Sequence, residues 1–299
     1  MNSRASRRRA YLAWVVVCLV WGTTYLAIRV AIESLPPLLM AGFRWIVAGS
    51  LLIAFVWLRG ERLPRRDAWV SLAVRGVLLV TLGNGAVVWA EQTVPSGVTS
   101  VLVAVAPFWM VGVDALFRDG EPLSARHVVG LAVGFTGVLV LIWPRLGTDL
   151  DARVFTGGVV STQLACAGWA LGSSYARRRS HLGAGELAAT APAFEMLFGG
   201  IVLLGCSLAL GERMSQPLTA RSAAAVVYLI VFGSIIAFSS YRYALQHLPV
   251  ATVSLYVYVN TVIAVILGTV VLAEPFNWRM GVGVAVVLLG VGLAKEHTG

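Results

Sequence analysis

From Tyr11 to Ile28 the chain runs eighteen residues without a charged side chain, and segments of this kind recur along its whole length. About 20 apolar residues in a helix span the roughly 30 Å hydrocarbon core of a bilayer. Ten segments have this character: 11–30, 37–57, 76–93, 96–117, 126–143, 154–175, 187–210, 222–245, 249–273 and 279–294. Backbone in lipid must satisfy its own hydrogen bonds, so each segment reads as a helix. The predicted fold class is an all-α membrane protein with ten transmembrane helices. Residues 1–10 form a basic tail carrying Arg4, Arg7, Arg8 and Arg9. The apolar run after it is too long for a signal-peptide core and has no good cleavage site, so it reads as a retained first helix.

Composition excludes the soluble alternatives. Only 12% of the 299 residues are charged and 58% are hydrophobic, against about 25% charged in soluble domains. The net charge of +9 comes from 22 Arg and 1 Lys that sit mostly between apolar runs. That distribution fits loops flanking membrane spans and argues against a nucleic-acid partner. With the N-terminus in the cytoplasm, sixteen basic residues fall on the cytoplasmic side and six on the other, with Arg44 left inside a span. Arg75 and Arg242 count among the sixteen as loop-flanking residues. The partition predicts an inner-membrane protein with both termini cytoplasmic. Cys18, Cys166 and Cys206 lie inside apolar runs, and the four histidines do not cluster. No HExxH, P-loop or paired-carboxylate motif is present, so the sequence points to no metal, no cofactor and no catalytic residues.

The chain also repeats itself. Gly130 to Val138 matches Gly283 to Val291 at an offset of 153, and the same offset pairs Glu121-Pro122 with Glu274-Pro275 and Pro107 with Asn260. An offset of 154 pairs Pro95 with Pro249. An offset of 148 pairs Cys18, Trp21 and Arg29 with Cys166, Trp169 and Arg177, and one of 151 pairs Arg44 with Glu195. The repeats occupy 11–143 and 154–294. Five spans is an odd number, so the second half enters the membrane from the opposite side. Inverted repeats of this kind mark many secondary transporters and place the substrate site near the midplane.

Several local motifs resemble those of the EamA family of the drug/metabolite transporter superfamily, over nearly the full chain. They are Trp21-Gly22-Thr23-Thr24-Tyr25, the Pro36-Pro37…Arg44 pattern, Gly83-Asn84-Gly85 with Ala90-Glu91, and Val94-Pro95-Ser96-Gly97. In the second half they are Glu195-Met196-Leu197 with Gly199-Gly200, Phe232 to Ala237, Tyr256 to Asn260, and Gly268 followed by Glu274. The resemblance implies two inverted five-helix repeats around a central cavity lined by helices 1, 3, 4, 6, 8 and 9, with helices 2 and 7 peripheral. It also implies export of metabolites or drugs. One departure is Thr261, where the family often has proline after the asparagine, so the resemblance implies no proline kink at that position of this chain.

Candidate cavity residues are Trp21, Tyr25, Asn84, Pro107, Trp169, Tyr256, Tyr258 and Asn260. Trp21 and Trp169 can stack on a substrate across the pseudo-two-fold axis, or pack helices together. Tyr256 and Tyr258 point about 200° apart on a helix, so both cannot face one cavity. Asn84 and Asn260 can bind a substrate or a neighbouring helix. Pro107 frees a backbone carbonyl, or simply kinks its helix. Glu121 and Glu274 read as caps on the helices that follow them.

The intramembrane charges Arg44, Glu91 and Glu195 are expensive to bury and are therefore candidates for function or coupling. Arg44 and Glu195 lie at equivalent depths. Glu91 reads as close to the outer surface, with access to water. The expected partners are a small-molecule substrate and membrane lipids, and a homodimer is an assembly the sequence allows. The leading function is secondary export. A lipid or lipid-linked sugar flippase is the alternative. A membrane-embedded enzyme or a channel lacks the residue clusters it would need.

Overall fold

The computed structural model describes residues 3–116, 125–142, 150–180, 190–214, 216–248, 252–253, 255–274, 276 and 278–294. Glu121, Pro122, Arg118, Arg145, Pro249, Pro275, Lys295 and the loop around Thr148 lie outside them. Among the described residues all regular structure is helical. In chain order the helices are α1 (Ser3–Ala31), α2 (Pro37–Leu58), α3 (Arg66–Ala90), α4 (in two pieces, Ser96–Val103 and Ala106–Ala115) and α5 (Ala125–Ile142). Then come α6 (Leu150–Ser180), α7 (Ala191–Ala209), α8 (Ala220–His247), α9 (Tyr256–Val271) and α10 (Trp278–Ala294). Six of these contain stretches long and apolar enough to cross a membrane: Ser6–Ala31, Pro37–Leu58, Arg66–Ala90, Asp151–Arg179, Ala191–Ala209 and Ala220–His247.

The outer faces are apolar. On α2, Phe43, Leu51, Phe55 and Leu58 are exposed, while Met40, Arg44, Trp45 and Ala48 are buried. A soluble helix puts its polar face outward; here the charge is inside and the hydrocarbon outside, as lipid solvation requires.

The most extensive helix contacts are α2 on α7 and α5 on α10. Both pack at glycines. A methyl on Gly49 would sit 2.7 Å from the Leu197 amide nitrogen, and one on Gly200 2.7 Å from the Ile46 nitrogen. In the second pair, a methyl on Gly137 would lie 2.8 Å from the Val287 nitrogen. Dispersion between closely approaching backbones holds such pairs, since lipid supplies no hydrophobic drive between helices.

Two helices carry a wide, π-helical turn: Val77–Gly85 in α3 and Leu229–Ile236 in α8. Their first residues are 152 positions apart and their last 151, so the irregularity itself repeats. α4 breaks at Ala104 and Val105, just before Pro107. Proline has no N–H for the carbonyl four residues back and is tolerated in a first helical turn, which is where Pro107 sits. α9 is continuous through Thr261, whose hydroxyl donates to the Val257 carbonyl (2.9 Å) and to the Ser100 carbonyl of α4 (3.1 Å).

Three charged residues stand differently from the sequence expectation. Arg75 and Arg242, read as loop flanks, are buried: each places a guanidinium nitrogen 3.2 Å from Glu195 Oε1. α3 starts at Arg66, about three helical turns before residue 76, and so carries Arg75 inside the bundle. Glu91, read as close to water, is fully buried, and neither carboxylate oxygen has a hydrogen-bond partner among the described residues.

The helix starts are capped from across the molecule. Glu274 accepts from the Ser96 amide (2.7 Å), the Ser96 hydroxyl (2.8 Å) and the Gly97 amide (3.0 Å). It thus caps α4 in the other half rather than the helix that follows it. Glu212 does the same for α2, accepting from the amides of Leu38 (3.2 Å) and Leu39 (2.8 Å). A carboxylate at a helix N-terminus meets unpaired N–H groups and the positive end of the macrodipole.

Candidate functional site

A cavity of about 70 Å³ lies where α1, α2, α3, α4, α6, α8 and α9 converge. A cavity that holds one water needs about 10–15 Å³ by this measure, so the space suits several waters or a very small ligand. The aromatic wall is Trp21, Tyr25, Trp169, Phe238 and Tyr256, and the polar groups include Thr24, Arg44, Asn84 and Asn260.

Of the sequence candidates, Trp21, Tyr25, Asn84, Trp169, Tyr256 and Asn260 line this space together. Pro107 and Tyr258 do not line it. Tyr258 faces away from its neighbour Tyr256, as helical geometry requires, and its hydroxyl is buried without a hydrogen-bond partner among the described residues. Pro107 acts at one remove: the carbonyl it cannot bond is that of Val103, which lines the cavity and faces the Cys166 thiol at 4.0 Å.

Trp21 and Trp169 meet edge-to-face with centroids 5.4 Å apart, and both touch Tyr241. Their indole N–H groups are held. Trp21 donates to the Gly233 carbonyl at 3.0 Å, and Trp169 to the Tyr241 hydroxyl at 3.1 Å, which Ser173 also meets at 3.1 Å. The rings are therefore fixed as walls. Asn260, in the amide orientation that satisfies its neighbours, donates to the carbonyls of Cys18 (2.7 Å) and Tyr256 (3.1 Å) and so ties α9 to α1.

The two π-helical turns supply the polar partners of α2. Trp45 donates its indole N–H to Asn84 Oδ1 at 2.9 Å, and Arg44 donates from Nε to Ser234 Oγ at 2.8 Å. Asn84 sits in the turn of α3 and Ser234 in that of α8. The two π-helical turns thus hold adjacent residues of one helix. α2, expected to be peripheral, thus contributes Arg44 and Trp45 to the cavity. Trp45 was missed because nothing in its local sequence distinguishes a buried tryptophan from one at a lipid interface. Ser234 was legible only as part of the Phe232 to Ala237 motif, with nothing to assign it a partner.

Glu195 lies elsewhere. It bridges Arg75 of α3 and Arg242 of α8 near one end of the bundle. The contacts fall outside hydrogen-bond angles, so the pairing is Coulombic rather than forked, and Glu195 Oε2 has no partner among the described residues. Arg44 and Glu195 do not form an ion pair.

A sequence profile described as the EamA-like transporter family matches this chain twice, over residues 8–143 and 156–294. The chain belongs to that family. The curated relatives include YedA, an uncharacterized inner membrane transporter of Escherichia coli, 39% identical over 280 residues that cover 92% of this chain and 88% of YedA. A WAT1-related chloroplastic protein of Arabidopsis thaliana is 28% identical over 97% of this chain and 70% of its own. An uncharacterized transporter of Bacillus subtilis, YvbV, is 24% identical over 98% of this chain and 93% of its own. A crystal structure superposes with a TM-score of 0.69 over 96% of this chain and 97% of the other. At 21% identity that likeness shows the fold alone. As an EamA family member the protein is a multi-pass membrane transporter.

Proposed function

We propose that the protein is a secondary exporter that moves a small molecule across the cytoplasmic membrane by alternating access, with the cavity between Trp21 and Trp169 as its substrate site. The observation that carries this reading is the meeting of these repeat mates, with fixed indoles, at a cavity where seven helices converge. All ten helices cross the membrane in this reading, as two inverted repeats over 11–143 and 154–294. The twofold profile match, the paired π-helical turns and the packing of α2 on α7 and α5 on α10 support that arrangement. So do the directions of α1 and α6. Arg29 at the end of α1 donates to the Glu91 carbonyl, while Ser161, in the first half of α6, donates to the Ala86 carbonyl at 2.9 Å. The end of one helix and the first half of its mate thus lie near the same end of α3.

Both termini face the cytoplasm in this reading. Moving Arg75 and Arg242 from the loop count to the interior lowers the cytoplasmic excess without reversing it. The sequence has no nucleotide-binding motif, so a proton gradient or the substrate's own gradient supplies the drive. Glu195, between two arginines, serves packing; Glu91, with both oxygens unpartnered, is the acid placed for coupling.

The test is uptake into proteoliposomes, screening labelled amino acids, purine nucleosides and cationic dyes. A transported compound should be lost on Trp21→Ala or Trp169→Ala, with the variants still folded in the membrane. Normal transport by both variants would place the site elsewhere.

A further inference from the structure

We propose that the cavity takes a small organic anion, a carboxylate with a short apolar body, and that Arg44 is the residue that receives it. This inference names a substrate class and rests on the central cavity being the transport site.

Arg44 is 1% exposed and lines the cavity. Its guanidinium is held rigidly: Nε donates to Ser234, and the plane lies over the Trp45 ring, 4.6 Å from its centroid. Trp45 is itself fixed by Asn84. Yet Nη1 has no acceptor among the described residues, and no acidic oxygen lies within 4.0 Å of the guanidinium. Glu91 acts on Arg44 only from farther away. This separates Arg44 from the other buried arginines, Arg75 and Arg242, which both contact a carboxylate.

A buried cation with an open donor is costly unless an anion completes it. The fork of a guanidinium matches a carboxylate, and a charge-assisted hydrogen bond is worth about twice a neutral one. Asn84 spends its oxygen on Trp45, so its amide N–H is what it offers a ligand, and that also suits an acceptor. Thr24 and Asn260 are the other polar side chains named at the wall, and both already hydrogen-bond to backbone carbonyls; Trp21, Trp169, Val87 and Phe238 make most of the rest apolar or aromatic. One fixed positive charge on a largely apolar wall selects a monoanion with a hydrocarbon body over a cation or a polyanion. The small volume favours a short body until the halves open.

Three probes share one branched carbon skeleton and differ in charge: isovalerate, isovaleramide and isoamylamine. Binding to the purified wild-type protein is followed by intrinsic tryptophan fluorescence and thermal stability. Saturable binding of isovalerate in the millimolar range is expected, with isovaleramide and isoamylamine weaker by roughly 10- to 100-fold. Arg44→Gln should remove this preference, and Arg44→Lys should keep part of it because the charge remains. Absence of isovalerate binding, equal binding of acid and amide, or unchanged preference in Arg44→Gln would overturn the proposal. The wild-type comparison decides even if Arg44→Gln does not fold. Should isovalerate fail while Trp21→Ala still abolishes transport of another compound, the anion proposal falls and the cavity reading stands. Should isovalerate bind equally well to Trp21→Ala and Trp169→Ala, the cavity reading falls and the anion proposal with it.

Discussion

Trp21 and Trp169, 148 positions apart in the chain, meet with ring centroids 5.4 Å apart and planes at 81°. An edge-to-face pair adds about 0.5–1.5 kcal/mol beyond the area it buries. The contact joins α1 to α6 at the cavity. Trp21→Phe keeps a ring and loses the hydrogen bond to the Gly233 carbonyl. It should lower stability by about 1 kcal/mol, whereas Trp21→Ala should lower it by about 3–5 kcal/mol. Thermal melting in detergent checks the order; equal melting of both variants would contradict it.

Glu195 is the common partner of two buried arginines. Glu195→Gln leaves both guanidiniums unpaired in a dry interior and should destabilise by about 3–5 kcal/mol. Arg75→Gln leaves the carboxylate still paired with Arg242, so its effect should be smaller. The yield of monodisperse protein on size exclusion ranks the two. A wild-type yield of Glu195→Gln together with lost gradient-driven transport would return Glu195 to the coupling role.

Glu91 is the contrasting carboxylate. The charged and titratable groups acting on it or within its field are Arg29, Arg44, Glu274 and Tyr25. Glu91→Gln should fold, abolish transport driven by a pH gradient, and leave substrate exchange intact. Unchanged gradient-driven transport would exclude Glu91 as the coupling acid.

Glu274 makes three hydrogen bonds to the start of α4. Glu274→Ala should lower stability by about 1–2 kcal/mol, the range of a lost helix cap. Gly49→Ala should cost about 1–3 kcal/mol by overpacking against the Leu197 backbone. Gly157→Ala, where an added methyl meets nothing within 4 Å, is the control and should melt as wild type.

The sequence carried the helices well, because lipid solvation writes itself into each apolar run. Of the eight cavity candidates it offered, six line the space described above. What it could not carry were relations across the chain. Arg75 and Arg242 look like loop flanks until Glu195 is seen between them. Glu212, on a turn after α7, shows no sign of capping α2. The π-helical turns follow from packing, and only the glycines of Gly83-Asn84-Gly85 and Gly233-Ser234 hint at them.

Cys166 lines the cavity and is 2% exposed, so it reports directly on whether that space opens to each side of the membrane. With Cys18 and Cys206 replaced by Ser, a small membrane-impermeant thiol reagent is applied to reconstituted vesicles from the outside only, or trapped inside only. Alternating access requires modification of Cys166 from both sides, slowed from both by a transported compound that occupies the cavity. Modification from one side alone, or from neither during active transport, would contradict a central cavity that serves both faces of the membrane.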